Sequence, residues 1–408
     1  MQRVYLDNAA TTKIDPRVLE AMTLALRDNF GNPSSIYAEA RTAKKSLEEA
    51  RAQVAALIGA KTEEIIFTGG GSEADNMALR GIAEAYGKKG GHIITSKVEH
   101  HAIIHTCEYL QKQGFDVTYL PVDEFGLTTP EEVKAAIRPD TILISIMYAN
   151  NEVGTIMPIR EIGAVARERK ILLHTDAVQA AGHIDIDVER DNIDLLSLTA
   201  HKIHGPKGVG ALYLRKGVRM PPLIHGGGQE RGFRAGTENL PGAVALGKAC
   251  ELAAAGFEKN NAHMKKLRDY LLDGIFEKIP YVKLNGHPEK RLSNNVNVSI
   301  RYIEGEGMLL RLDMDGISAS SGSACTSGSL DPSHVLLAMG LDHATAHGSL
   351  RLTLSPETTK EEIDYLLEKL PPIAGFLREM SPVYKAEAGA CGRQELKNCA
   401  ACPVGREK

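Results

Sequence analysis

Short apolar runs alternate with longer helical patterns through the first two thirds of the chain. Runs of strand length lie at 65–67, 92–95, 117–120, 142–148, 171–173 and 195–198. Between two of them, Met77, Leu79 and Ile82 recur at a spacing that favours a helix with one buried face. This alternation predicts an α/β fold in which helices cover both faces of a largely parallel sheet.

The pattern changes after about residue 260. A long helical pattern at 264–276 is followed by strand-like runs at 296–300 and 349–353 and by a closing helix at 361–370. This order predicts a smaller α+β domain. The resulting prediction has four parts: a segment 1–14 that joins the small domain, a large domain 15–260, a small domain 261–383, and a cysteine-containing tail 384–408 that is expected to be flexible.

Composition narrows the class of protein. The 408 residues carry a formal net charge of -4 and are 43% hydrophobic and 25% charged, as is ordinary for a globular protein. The chain has no basic stripe, so DNA is not an expected partner. It also lacks the long apolar run of a membrane span and the pattern of a secretory signal. Six cysteines without an early, regular spacing favour a reducing, cytoplasmic location.

Polar residues with useful chemistry follow five of the predicted strands. In a parallel sheet the carboxyl ends of the strands form one edge, and ligands bind there. We therefore expect these residues to meet at one site. They are the glycine turn that ends in Gly71 and Ser72, then His100, Asn151, Asp176, and the group Thr199, His201 and Lys202.

Each of these residues has an ordinary structural explanation as well. The turn 68–73 (TGGGSE) suits a phosphate at a helix N-terminus, but it equally suits a helix cap at Ser72. Lys202 could form a Schiff base at the sheet edge, or it could be a surface lysine before a Gly-Pro turn. His201 and His204 lack a third metal ligand at a suitable spacing, so a metal site is not predicted there.

The same alternatives apply to four further residues. Asp176 could pair with a pyridinium nitrogen or cap a short helix that would place Gln179 on the same face. Arg351 could hold a carboxylate with its two-pronged guanidinium or form a surface ion pair. Cys325 lies in the small-residue segment 320–329 (SSGSACTSGS), which could carry a reactive thiol or simply form a tight turn.

Taken together, the motifs resemble the NifS/IscS-type cysteine desulfurases of the class V aminotransferase group, which use pyridoxal 5'-phosphate. The likeness extends from residue 5 to about residue 383. It is carried by the segments 5–12 (YLDNAATT), 31–35 (GNPSS), 98–101 (VEHH), 150–154 (NNEVG), 174–179 (HTDAVQ), 199–208 (TAHKIHGPKG), 234–239 (RAGTEN) and 321–326 (SGSACT). The resemblance implies fold type I of the pyridoxal-phosphate enzymes, with a mostly parallel, seven-stranded-type sheet in the large domain.

The resemblance also implies roles for individual residues. Lys202 would carry the cofactor, His100 would stack on its ring and take part in catalysis, and Asp176 would pair with the ring nitrogen. Arg351 would hold the substrate carboxylate, with Asn151 nearby. The remaining cofactor contacts would be Asn151 and Gln179 at the ring, Gly71, Ser72, Thr199 and His201 at the phosphate, and Thr237 reaching the phosphate of the other protomer in a homodimer.

The implied reaction converts L-cysteine to L-alanine and leaves a persulfide on Cys325. The sulfur would go to an iron–sulfur scaffold, including one for nitrogenase clusters, or to another acceptor such as a tRNA-thiolation partner. Cys325 would also contact metal transiently through a persulfide shared with a scaffold cluster. The alternatives are a selenocysteine lyase, another class V enzyme such as a transaminase, and a non-catalytic sulfur carrier or scaffold protein.

Two positions depart from the family pattern. Thr199 stands where the family usually has Ser, and its hydroxyl keeps the same hydrogen-bonding capacity. The tail carries Cys391, Cys399 and Cys402 instead of a scaffold-docking segment. The tail thiols suit either a sulfur relay or a partly occupied metal site, and incidental cysteines are an equally good explanation.

Overall fold

The structure of the chain, a computed structural model, describes residues 3–87, 91–321, 332–382 and 384–385. Cys325 and the three tail cysteines, and with them the predicted flexible tail beyond residue 385, lie outside the described residues.

Strands and helices alternate along the described chain. The strands are β1 (Val4–Tyr5), β2 (Ile65–Thr68), β3 (His92–Ser96), β4 (Asp116–Leu120), β5 (Thr141–Ser145), β6 (Leu172–Asp176), β7 (Leu195–Thr199), β8 (Gly210–Leu214), β9 (Val282–Leu284), β10 (Asn295–Ile300), β11 (Ile317–Ser318) and β12 (Ser349–Thr353). The α-helices are α1 (Pro16–Asp28), α2 (Ala38–Leu57), α3 (Gly71–Tyr86), α4 (His101–Lys112), α5 (Pro130–Ala136), α6 (Ile159–Arg169), α7 (Leu240–Lys278), α8 (Gly305–Met314), α9 (His334–Ala338), α10 (His343–His347) and α11 (Lys360–Met380).

The central sheet of the described chain has seven strands in the order β2-β8-β7-β6-β5-β3-β4. Neighbours from β7 through β4 pair in parallel, and β8 pairs antiparallel with both β7 and β2. The expected mostly parallel, seven-stranded α/β sheet is therefore confirmed. Strand β8, which the strand-length runs did not include, lies buried between β2 and β7.

Both faces of this sheet are covered, because successive strand residues enter different cores. Ile93 and Leu195 pack with helices α3 and α4 in one apolar cluster. Their neighbours Ile94 and Leu196 pack in another cluster, which includes residues of α1, α2 and α7. Since side chains alternate across a strand, two separate clusters of this kind identify the two faces of one buried sheet.

A further core forms around the antiparallel sheet β12-β10-β9. It combines Val4 and Leu6 near the N-terminus with residues of α8 and α11 and with the second half of α7, including Met264. Helix α7 runs unbroken through residues 260 and 261, where the sequence pattern divided the domains. The division at that point stays a prediction.

Two local expectations differ from the structure. The predicted strand at 142–148 ends as β5 at Ser145, although Ile146 and Tyr148 remain buried and donate backbone hydrogen bonds to the β6 residues His174 and Asp176. The expected short helix after β6 is a turn. The Asp176 carboxylate accepts a hydrogen bond from the backbone of Val178, as in an Asx turn.

Candidate active site

The carboxyl ends of five parallel strands meet at one edge of the central sheet. Strand β2 leads into the glycine turn before α3, β3 leads to His100, and β5 leads to Asn151. Strand β6 ends at Asp176, and β7 continues into a short 3-10 turn that ends at Lys202. The structure thus brings together the residues that the sequence placed at strand ends.

The glycine turn forms a close backbone cradle at the start of α3. A side-chain carbon at Gly71 would lie 2.7 Å from the Val178 side chain, and one at Gly210 would lie 2.8 Å from the backbone of Gly70. Gly70 has a φ of 154°, which favours glycine. Ser72 is exposed in the first turn of α3, where unpaired backbone N–H groups and the helix dipole suit a phosphate. Thr199 lies beside this turn and donates its hydroxyl to Val209.

Lys202 is held against the N-terminal segment of the chain. Its Nζ donates hydrogen bonds to the carbonyl oxygen of Ala9 and, at 2.7 Å, to that of Ala10. Gln179 reaches the same segment, since its Nε2 donates to Ala9 O at 2.9 Å. Residues 9 and 10 therefore form one wall of the site, a role that the sequence pattern did not indicate.

Asp176 is a buried carboxylate close to Lys202. Burial raises its pKa to about 6, while the Val178 N–H and the Lys202 charge act in the opposite direction. A carboxylate in this setting can ionise readily when a cation is placed next to it. This is the property that pairing with a protonated ring nitrogen requires.

A buried polar layer lies behind Asp176. His174 accepts or donates hydrogen bonds with Ser145 at 2.9 Å and with Ser197 at 3.1 Å, and burial lowers its pKa to about 3. Burial and the Asp176 charge raise the pKa of Asp75 well above its usual range. Burial also raises the pKa of Glu99 to about 8. Burial thus disfavours the charged form of each of these three groups next to Asp176.

His100 is a neutral imidazole with a defined orientation. It caps α4, and its Nδ1 accepts a hydrogen bond from the backbone N–H of Ala102 at 3.1 Å. Burial and the Lys202 charge lower its pKa to about 4. Because Nδ1 is an acceptor, the proton of the neutral ring resides on Nε2. His201 is also neutral, since burial and Lys202 lower its pKa to about 4, and its Nδ1 lies 3.3 Å from the Thr11 hydroxyl.

Arg351 enters the site from the three-stranded sheet. Its side chain on β12 is 2% exposed and forms an ion pair of 2.9 Å with Asp7. Its Nη1 donates to the backbone oxygen of Asn151 at 3.1 Å. Arg351 and Asn151 are therefore in contact, as their shared predicted role requires. The part played by Asp7 was not predicted, although Asp7 belongs to the 5–12 motif.

Two predicted site residues are not described as part of this cluster. Thr237 is exposed in the segment before α7, and Cys325 lies outside the described residues. Cys107 and Cys250 are buried in α4 and α7 away from this cluster, and burial raises the pKa of both thiols. Within the described ranges no group of three or more His, Cys, Asp or Glu side chains is arranged to hold a metal ion. No helix among the described residues has both the length and the apolar character needed to cross a bilayer.

Sequence comparison places the chain among known proteins. The model of the family "Aminotransferase class-V" matches residues 4–366. The chain is 58% identical to a cysteine desulfurase IscS of Methanosarcina thermophila, over 94% of this chain and 95% of that protein. It is 50% identical to cysteine desulfurase 2 of Trichormus variabilis, over 97% of this chain and 99% of that protein.

Solved structures agree with the sequence relatives. A NifS-like protein superposes with a TM-score of 0.87 at 41% identity, covering 92% of this chain and 100% of that one. A structure described as SspA in complex with cysteine superposes with a TM-score of 0.78 at 40% identity, covering 87% and 100%. Proteins of this family depend on pyridoxal 5'-phosphate, and so does this chain. The chain belongs to the class V aminotransferase family, within its NifS/IscS-type cysteine desulfurases.

Proposed function

We propose that this protein is a cysteine desulfurase that converts L-cysteine to L-alanine and retains the sulfur as a persulfide on Cys325. The observation that carries the proposal is the convergence of Lys202, Asp176, His100 and Arg351 at one edge of the sheet. Such a set provides an amine for the cofactor, a carboxylate for its ring nitrogen, a neutral imidazole and a cation for the substrate. The named relatives direct the choice of substrate to cysteine.

The described residues fit pyridoxal 5'-phosphate. The cradle at Gly71, with Ser72, Thr199 and His201 around it, would hold the phosphate, and Asp176 and Gln179 would face the ring. Lys202 would hold the aldehyde carbon. When bound, this group stabilises negative charge at the α-carbon of an attached amino acid.

Proton movement falls to Lys202. Its Nζ, held near the carbonyls of Ala9 and Ala10, takes the proton from the α-carbon of cysteine and returns a proton later in the cycle. His100 keeps its proton on Nε2 and is neutral near pH 7, so it would contact the cofactor ring without adding a positive charge next to Lys202.

Substrate orientation falls to Arg351. Its guanidinium can hold the cysteine carboxylate with two parallel hydrogen bonds. Asn151 is next to it, since its backbone oxygen accepts a hydrogen bond from the same guanidinium. The carboxylate would then fix the α-carbon relative to Lys202, so that the thiol of the substrate points away from the clamp. Orientation of this kind supplies much of the rate of a two-reactant step.

The sulfur step balances without a further oxidant or reductant. The Cys325 thiolate attacks the sulfur of the bound cysteine and forms an S–S bond while the carbon–sulfur bond breaks. The electron pair of that bond stays with the carbon fragment, which takes up a proton and leaves as alanine. Only the thiolate is a competent nucleophile, so we expect the cations of the site to lower the pKa of the Cys325 thiol.

We propose that the enzyme acts as a homodimer whose partner subunit supplies Thr237 to the phosphate. Thr237 is exposed in its own subunit, at the end of a segment tied to the glycine turn by an ion pair between Arg234 and Glu73. Large apolar side chains are exposed in the last turns of α1, where Leu26 is 60% exposed, and between α1 and α2, where Phe30 is 77% and Ile36 92% exposed. A second copy of the chain would cover such a surface.

The proposal extends to the sulfur acceptor and the cell compartment. We propose delivery to an iron–sulfur scaffold or another thiol acceptor protein in the cytoplasm, because a persulfide and a reactive thiol require a reducing compartment. Transient contact of Cys325 with a metal of the receiving cluster is part of the same proposal.

Replacement of Cys325 by Ala tests the function directly. The variant should bind cofactor and cysteine and still show a substrate-dependent change in visible absorbance, but it should form almost no persulfide and little alanine. Alanine release and mass spectrometry of the Cys325 peptide after cysteine treatment measure both. Cys391→Ala removes a tail thiol and should leave alanine formation unchanged.

The same assay separates the alternatives. Wild-type rates of alanine formation in the Cys325→Ala variant would show that another group accepts the sulfur. Activity of the wild-type enzyme on selenocysteine but not on cysteine would identify a selenocysteine lyase instead.

A further inference from the structure

We infer that Asp7 is a positioning residue for substrate binding, because it fixes the guanidinium of Arg351 in the orientation that receives the carboxylate of cysteine. This inference rests on the proposed function, in which Arg351 binds that carboxylate. It adds a residue of the N-terminal segment, far from the sheet edge in sequence, to the apparatus that orients the substrate.

The ion pair between Asp7 and Arg351 is asymmetric in its exposure. The Arg351 side chain is 2% exposed, and the Asp7 side chain is 19% exposed. A guanidinium so deeply buried needs a nearby carboxylate, since an unpaired charge in the protein interior is strongly unfavourable. Asp7 supplies that carboxylate through one oxygen, at 2.9 Å from Nη2 of Arg351.

A second contact fixes the other arm of the guanidinium. Nη1 of Arg351 donates to the backbone oxygen of Asn151, which follows β5 at the sheet edge. Because Nη2 donates to Asp7 and Nη1 donates to Asn151, the two contacts together fix the plane of the guanidinium.

The backbone holds Asp7 in place for this contact. Strand β1, two residues earlier, pairs in parallel with β11, and Asp7 forms a β-bridge with Thr353 on β12. The next residue, Asn8, donates its side-chain N–H to Thr353 O at 2.7 Å. Asp7 is therefore fixed by backbone pairing next to β12, the strand that carries Arg351. Its carboxylate is held beside the guanidinium.

The ion pair also prepares Arg351 for substrate binding. Asp7 pairs with Arg351 before cysteine arrives, and it remains paired with the guanidinium when the substrate carboxylate binds. A guanidinium that is already oriented loses less conformational entropy when it forms the two new hydrogen bonds. Loss of Asp7 should therefore weaken binding of the carboxylate more than it slows the chemistry.

Asp7→Asn in the holoenzyme tests this inference, since the amide keeps the size of the side chain and removes its charge. We expect KM for cysteine to rise about tenfold while kcat stays within about twofold, the split that loss of uniform substrate binding produces. Asp15→Asn makes the same change in the Asp15–Arg17 pair of 2.7 Å at the start of α1, and its KM should equal that of wild type.

A second measurement separates positioning from general damage to the fold. L-alanine and ethylamine differ only by the carboxylate that Arg351 would hold. In the Asp7→Asn variant the inhibition constant of L-alanine should rise about tenfold, and that of ethylamine should stay unchanged. This ratio does not depend on the fraction of folded enzyme, so it remains valid if the variant is less stable.

Coupling to Arg351 completes the test. In an Arg351→Gln background the additional Asp7→Asn change should have no further effect on KM, because the two residues act as one unit. The inference is wrong if Asp7→Asn leaves KM at the Asp15→Asn value, if it lowers KM, or if it weakens L-alanine and ethylamine equally. Failure of the wild-type enzyme to form alanine from cysteine would instead overturn the proposed function.

Discussion

The two halves of the candidate site are assembled in different ways. The cofactor half is built on neighbouring strands of one sheet, with Asp176 at the end of β6 and Lys202 just beyond β7. The substrate half joins distant parts of the chain. Arg351 contacts Asp7 at a separation of 344 positions and Asn151 at a separation of 200 positions.

The two halves also differ in the charge state of their buried side chains. Behind Asp176, burial favours the neutral form of the polar groups, since it lowers the pKa of His174 to about 3 and raises that of Glu99 to about 8. The substrate half keeps a full ion pair between Asp7 and Arg351. Because burial disfavours charge on its neighbours, Asp176 is the carboxylate that can act on the cofactor. The ion pair with Asp7, in contrast, stabilises the buried Arg351 cation that can bind a charged substrate.

The largest effect is expected when Lys202, the cofactor-binding lysine of the cofactor half, is replaced. In Lys202→Ala the absorbance of lysine-bound cofactor should disappear, and alanine formation should fall at least about a thousandfold because the group that moves the α-proton is lost. Visible spectra and alanine release measure the two effects. Lys207→Ala, at an exposed lysine of the same loop, is the control. An unchanged spectrum in Lys202→Ala would place the cofactor on another residue.

A smaller effect is expected where the cofactor half depends on a second subunit. Thr237→Val should weaken cofactor binding about tenfold, because one hydrogen bond to a charged phosphate is lost. Dilution followed by visible absorbance gives the affinity, and light scattering gives the mass. Thr62→Val, in the turn before β2, is the matched control. A wild-type monomer with full cofactor occupancy would contradict the shared site.

The last test concerns the buried layer behind Asp176, and it is measured as a change in stability. Folded Glu99 keeps its proton up to a pKa of about 8, whereas the unfolded chain releases it near 4.5. Raising the pH through this window therefore favours the unfolded wild type, at up to about 1.4 kcal/mol per pH unit. Glu99→Gln has no such proton to lose, so its free energy of unfolding should rise relative to wild type between pH 4.5 and 8.

Urea unfolding at several pH values measures this difference. Glu108→Gln, at an exposed position of α4, should follow the wild-type pH dependence. Parallel pH profiles for Glu99→Gln and wild type across the window would mean that Glu99 is ionised in the folded protein.

The cofactor half could be anticipated because its residues follow strands that run in the same direction in one sheet. Parallel strands expose their carboxyl ends at one edge, so His100, Asp176 and Lys202 had to meet once the strands were identified. The resemblance to the family then gave each residue a role. Two local features were still missed, the buried strand β8 and the turn after Asp176, since a short apolar run and a short polar run each fit more than one structure.

The sequence by itself determined the α/β class, the strands that carry the site, the family, and the residues at the edge of the sheet. These depend on local periodicity and on motifs that are continuous along the chain. Only the tertiary structure decided that Asp7 pairs with Arg351, that Ala9 and Ala10 hold Lys202, and that Asp75, Glu99 and His174 are buried behind Asp176. Such contacts join residues that no sequence periodicity connects, and burial together with neighbouring groups shifts their pKa values, so both arise only when the chain has packed.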